Sequence, residues 1–130
     1  MRIFRSDAAP KQVADARTFG GRAETQLLAS DDRPPVPAKV FHVRFDDGSR
    51  TNWHAHTGPQ WLLIVAGRCR IQIWGEPAED VEAGDAVMIE PGEKHWHGAS
   101  PGQTGVHLAV NLNVETTWFE PVTDAQYRGA

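Results

Sequence analysis

A single cysteine, Cys69, is all the thiol that 130 residues contain. No internal disulfide can form, which fits a reducing compartment. The first residues, Met1-Arg2-Ile3-Phe4-Arg5-Ser6, lack the apolar core of a secretion signal, and no run is long enough to span a bilayer. A cytoplasmic protein without membrane contact is expected. Basic stripes are missing too: the net charge is −4, and Arg68-Cys69-Arg70 is too short to replace counterions along a phosphate backbone. A nucleic-acid partner is therefore not expected. Internal repeats, low-complexity tracts and phosphate-cradling glycine loops are also absent.

Helical periodicity is scarce as well. Glycine and proline recur roughly every 8 to 12 residues, and the short runs between them alternate with period two, the pattern of an all-β sandwich or barrel. At 130 residues and 40% hydrophobic content the chain suits one domain with a real core. In Val40-Phe41-His42-Val43-Arg44-Phe45 the apolar face is Phe41, Val43 and Phe45, and His42 points away from it. Trp61 to Ala66 is apolar on both faces and reads as a central strand covered on both sides, ending at Gly67. Cys69 alternates with Ile71 and Ile73, which predicts a buried thiol. Residues 1–35, closed by Pro34-Pro35, read as a strand-bearing arm packed on its own barrel or on a partner subunit. Thr123-Asp124-Ala125-Gln126 has the form of a capping box, enough for one terminal helical turn.

What the chain does hold is histidine at metal-ligand spacing. His54 and His56 stand at i and i+2, so on a strand their imidazoles share one face. Thr57-Gly58-Pro59 supplies turn chemistry that brings the Gln60 carbonyl oxygen back toward the same point. His95, from a distant strand, completes a four-ligand set with an open side. His97 shares the face of His95. In Val106 to Leu112, His107, Ala109 and Asn111 share one face, and Val106, Leu108, Val110 and Leu112 the other. Burying an imidazole and an amide unpaired would cost about 1 to 3 kcal/mol each, which a polar cavity offsets. The plainer alternative for His97 and His107 is a structural histidine bonded to backbone. Trp53 and Trp96 alternate out of the ligand face as packing residues, and Trp61, Trp74 and Trp118 read as core or interface.

Gly48, five residues, His54-Ala55-His56, three residues, Gln60, six residues, Gly67 resembles the first motif of the cupin superfamily, with Gln60 where most members carry Glu. Gly84-Asp85, Ile89 and Pro91-Gly92-Glu93-Lys94-His95 resemble the second. Glu90 replaces the usual proline there, and Ala99 the usual asparagine. The resemblance implies a jelly-roll β-barrel. His-x-His-x-x-x-Gln, Pro-Gly-Glu-Lys-His-Trp-His-Gly-Ala, His-Leu-Ala and the tail from Val122 to Tyr127 look most like the small cupins related to hydroxynitrile lyases.

That subgroup implies one divalent transition metal per chain on His54, His56, Gln60 and His95, with manganese or iron favoured and nickel, cobalt or zinc also compatible. It implies a lyase in which His107 is the base and His97 an auxiliary, acting on a small-molecule substrate bound by Phe41, Val43 and Asn111. Three neutral imidazoles and a neutral amide would leave the ion a strong Lewis acid. An oxygen-using cupin enzyme, dioxygenase- or decarboxylase-like, and a non-catalytic binding cupin are the alternatives. As in many cupins, a homodimer or dimer of dimers is expected.

Overall fold

In a computed structural model, residues 1–129 are described, and they are almost entirely β. Twelve strands follow in chain order: β1 (Gln12–Val13), β2 (Phe19–Gly20), β3 (Ala23–Asp31), β4 (Ala38–Phe45), β5 (Arg50–Thr51), β6 (His54–His56), β7 (Gln60–Ile73), β8 (Glu79–Glu82), β9 (Ala86–Ile89), β10 (His95–Ala99), β11 (Gly105–Leu112) and β12 (Thr116–Trp118). Besides a 3-10 turn at Ser6–Ala8, the described residues hold one short α-helix, α1 (Asp124–Arg128), after the last strand. All pairings are antiparallel, and the main path runs β1-β3-β4-β11-β7-β10-β5-β2, with β6 and β12 extending from β10 and β8 and β9 from β7. This is the jelly-roll barrel the motifs imply.

β7 organises it. Its first half pairs with β11 and β9, and its second half with β10 and β8, so a single strand belongs to both walls. The bend falls at Gly67, whose φ is +64°, and a Cβ there would collide with the Thr104 carbonyl oxygen. The strand therefore passes Gly67 and continues to Ile73, instead of ending at the glycine.

The burial of β7 corrects a second expectation. Leu62 and Ile64 are buried, but Trp61, Leu63 and Val65 on the opposite face are 42%, 38% and 46% exposed. Only one face is covered. Among the described residues nothing else lies over the outer one, because β4, β11, β7 and β9 form a single layer there. Val106, Leu108 and Val110 look out on the same side and do not pack on the second sheet: Leu108 stands between His42 and Leu63, and Val110 between Val40 and Trp61. His42 points away from the cavity, as the alternation requires.

The inner faces make the core. Leu62, Ile64, Cys69, Ile89 and Ala109 form one cluster, and Ala23, Val43, Phe45 and Ala99 another. Trp53 and Trp96, both buried, pack with Val122 and Tyr127 behind the histidines, and Trp96 Nε1 donates to Gln72 Oε1 at 2.8 Å. Truncating either tryptophan to alanine would cost about 3 to 5 kcal/mol. The N-terminal stretch is stitched to the barrel by β3, which pairs with β4, and by β2, which pairs with β5. At the other end Thr123 caps α1 in a complete capping box, and Tyr127 donates from its hydroxyl to Ala99 O. Among the described residues no helix is long and apolar enough to cross a membrane.

Candidate metal centre and pocket

Five of the six histidines are buried together between the two walls: His54, His56, His95, His97 and His107 are each no more than 5% exposed. The topology explains how. β6 and β10 are paired with His95 opposite His54, which sets their ring centroids 4.2 Å apart. Alternation along β6 puts His56 on the same side, 5.0 Å from His54 and 5.3 Å from His95. Alternation along β10 adds His97, 5.1 Å from His54. β11, in the opposite wall, supplies His107.

Hydrogen bonds fix which nitrogen each ring offers. His54 Nδ1 donates to Asn52 O at 2.9 Å, and His95 Nδ1 donates to Glu93 O at 2.8 Å. His56 Nδ1 pairs with Thr116 Oγ1 at 2.9 Å. Each Nε2 is thereby left for the centre of the cluster, the usual arrangement of metal-bound imidazoles. His56 Nε2, His95 Nε2 and Gln60 Oε1 are buried without any hydrogen-bond partner, an arrangement that costs about 1 to 3 kcal/mol per group unless something occupies the space between them. Ligand nitrogens of His54, His95 and His97 all lie within 4.8 Å of one another. The residues present thus fit a cation, and the donor set is all neutral nitrogen and amide oxygen.

Electrostatics agree. Burial pushes His95 down to about 4, drives His54 well below its ordinary value and lowers His56. Neutral imidazoles are the form that ligates.

His97 and His107 form a pair across the barrel, with His107 Nε2 3.1 Å from His97 Nδ1. Burial holds His107 down at about 4 and His97 well below the usual histidine range. His97 Nε2 and His107 Nδ1 have no partner. The rings therefore contact one another and the cavity, and they are not separately satisfied by distant backbone.

The cavity beside the histidines has a volume of about 220 Å³. Phe41, Val43 and Ala109 line one wall, with His54, His56, Gln60, His97 and His107 at its end. A second space of about 390 Å³ adjoins it, sharing Phe41, Asn111 and Thr116. Asn111 lines both, but its Oδ1 is already engaged, accepting from Gln60 Nε2 at 2.7 Å.

Five lining residues were not read from the sequence as site residues: Phe19, Thr25, Thr51, Thr116 and Trp118. Trp118 corrects an expectation. Rather than core, it is a lining residue whose ring is 4.6 Å from that of His54, tilted by 33°. The faint signal was the alternation of Thr116 and Trp118, which puts the two side chains on one face of a short strand.

Comparison with known proteins agrees with this geometry. Residues 41–113 match the family model described as a cupin domain. The chain is 39% identical over 126 residues to a protein from Granulicella tundricola named (R)-mandelonitrile lyase, covering 95% of this chain and 94% of that one. A cupin-like protein of Thermotoga maritima is 34% identical, with a TM-score of 0.85 over 89% of this chain and 90% of its own. A polyketide cyclase from Streptomyces resistomycificus shares the fold at 17% identity, with a TM-score of 0.76 over 98% of this chain and 89% of its own.

Proposed function

Since the chain belongs to the cupin family, we propose that it is a divalent-metal-dependent lyase of the hydroxynitrile type, acting on a small cyanohydrin or its aldehyde and cyanide. The observation that carries this reading is the set of unpartnered, buried Nε2 and Oε1 atoms at the end of an apolar pocket, in a chain 39% identical over nearly its whole length to an (R)-mandelonitrile lyase. His54, His56, Gln60 and His95 would hold the ion, manganese or iron by preference. Bound there, a divalent cation supplies Lewis acidity that no anionic ligand offsets.

The chain's own residues do the rest. Phe41, Val43 and Ala109 take up the apolar group of the substrate and exclude water. The buried His97–His107 pair handles the proton. The substrate hydroxyl gives its proton to an imidazole nitrogen of the pair, the carbonyl forms as the bond to the nitrile carbon breaks, and cyanide leaves with the electron pair. The same imidazole returns the proton to cyanide, so the reaction consumes nothing else. Burial keeps both rings neutral, and so able to accept a proton, at neutral pH.

The test combines metal analysis with turnover of mandelonitrile under monitored oxygen. About one ion per chain and benzaldehyde release without oxygen uptake are expected. Oxygen consumption would move the protein to the oxygen-using cupins, and absence of any turnover across a cyanohydrin panel would leave a binding protein. His107→Ala should keep its metal and lose about 10²-fold or more in turnover. His107 would be a ligand if the metal left with it.

We further propose that two copies associate through the outer face of the barrel. Trp61, Leu63, Val65 and Met88, all more than a third exposed, form with Leu108 and Val110 a continuous apolar surface on one layer of the sheet. A second copy is the occupant proposed, since a two-fold axis would bring the same apolar patch of each chain together. The cytoplasm, where the lone thiol stays reduced, is the proposed location.

A further inference from the structure

We infer that Asn111 is a positioning residue for the Gln60 amide, and that it decides whether that amide turns its oxygen or its NH2 group toward the histidine cluster. The inference rests on the metal reading proposed above and adds to it a residue that touches neither metal nor imidazole. Gln60 and Asn111 are directly opposite one another in the pairing of β7 with β11, on the inner face, and Gln60 Nε2 donates to Asn111 Oδ1 at 2.7 Å. Gln60 is 3% exposed, and its Oε1 has no partner.

An amide ligand has a problem that a carboxylate does not. Both oxygens of a glutamate ligate equally well, whereas half of the orientations of a glutamine aim two N–H donors at a cation and repel it. Something must choose. The Nδ1 atoms of His54, His56 and His95 are engaged by Asn52 O, Thr116 Oγ1 and Glu93 O, and their Nε2 atoms are the ones a cation would take, so with the metal bound no imidazole acceptor remains for the Gln60 NH2 group. Asn111 Oδ1 does hold it. The acceptor on β11 thus directs the donor away from the centre and leaves the oxygen facing it. A chain that carries Gln where an acidic ligand would need no such guide requires this acceptor on the neighbouring strand, and alternation from His107 through Ala109 delivers Asn111 to that point.

The consequence is separable from catalysis, since it is read in metal affinity. Manganese(II) is titrated by competition with a chelator into five forms of the protein: the parent, Asn111→Leu, Asn111→Asp, Gln60→Ala, and Gln60→Ala with Asn111→Leu. Asn111→Leu keeps the size of the side chain and removes the acceptor. It should weaken manganese binding about tenfold or more, the usual effect of removing a partner behind a ligand. Gln60→Ala should weaken it too, and adding Asn111→Leu to Gln60→Ala should cost nothing more. Asn111→Asp, an acceptor with no donor, should bind at least as tightly as the parent.

Equal losses from Asn111→Leu with and without Gln60 would overturn the inference, as would unchanged affinity in the single variant. Thermal melts of the metal-free forms separate a general loss of fold from a loss of affinity: if Asn111→Leu unfolds, Asn111→Asp against the parent still decides, because an aspartate that failed to retain the metal would refute the need for an acceptor. A parent protein that takes up no divalent ion would instead sink the metal reading itself.

Discussion

Trp118 lies over the ring of His54, with centroids 4.6 Å apart and planes tilted by 33°, because the two residues are directly opposite in the pairing of β12 with β6. Phe19, from the N-terminal stretch, approaches the same indole at 6.4 Å. Two segments from opposite ends of the chain therefore meet at the mouth of the pocket. Trp118→Ala should retain the metal, because His54 keeps its bond to Asn52 O, but lower kcat/KM for aromatic cyanohydrins about three- to tenfold, the range of a lost aromatic pair. Steady-state kinetics with mandelonitrile against an aliphatic cyanohydrin check it; an equal loss for both would refute the aromatic contact.

The metal-free protein should lose stability as pH falls from about 6.5 to about 4. His95 and His107 are held at about 4 by burial, so in that window the unfolded chain binds protons that the folded chain refuses. Each group then contributes about 1.4 kcal/mol per pH unit, with stability rising toward neutral pH. His54, His56 and His97 are shifted in the same direction. Carboxylates lowered by arginine partners, such as Asp15 and Asp124, act only in a lower window. Melting temperatures by circular dichroism should change little between pH 7.5 and 7 and fall increasingly from about pH 6.5 to 5. A flat profile would contradict neutral burial of these rings.

Cys69 is 0% exposed, and burial pushes its thiol up to about 12. Iodoacetamide at pH 8 should leave the native protein unlabelled and modify one site per chain in denaturant, as mass spectrometry would read. The sign for stability is the reverse of the histidines: the unfolded thiol ionises near 8.5 while the folded one does not, so stability declines as pH climbs from there toward 12.

Placing a charge on the outer face should separate the proposed dimer. Trp61→Glu together with Leu63→Glu changes residues that face away from the pocket, so folding and metal content should persist. The mass by light scattering should drop from about twice 14.4 kDa to that of one chain. A parent protein already monomeric at micromolar concentration would exclude the interface.

Much of the site was legible because strand alternation is a local property. The inward faces of β4 and β11, with Phe41 and Val43 on one and His107, Ala109 and Asn111 on the other, follow from period two alone. The capping box of Thr123 and Gln126 is equally local. What was not legible depends on which strand lies beside which. Trp118 and His54 are far apart in sequence, and no pattern announces that β12 pairs with β6. Nor does an apolar side chain record whether its face is covered, so Trp61, Leu63 and Val65 read the same as Leu62 and Ile64. The hydrogen bond between His97 and His107, and the engagement of Asn111 with Gln60, arise only when two walls close on each other.

β7 also sets the order in which the molecule can come apart. Gln60 stands at its first residue, and its last stretch pairs with the strand carrying His95 and His97. Loosening either end of this strand would dismantle one side of the histidine cluster, whereas β1 and β8 can fray without touching it. The slowest amides to exchange with solvent should therefore be those of Leu62, Ile64 and Cys69, and the opening that exposes them should be the same global event that scatters the histidines.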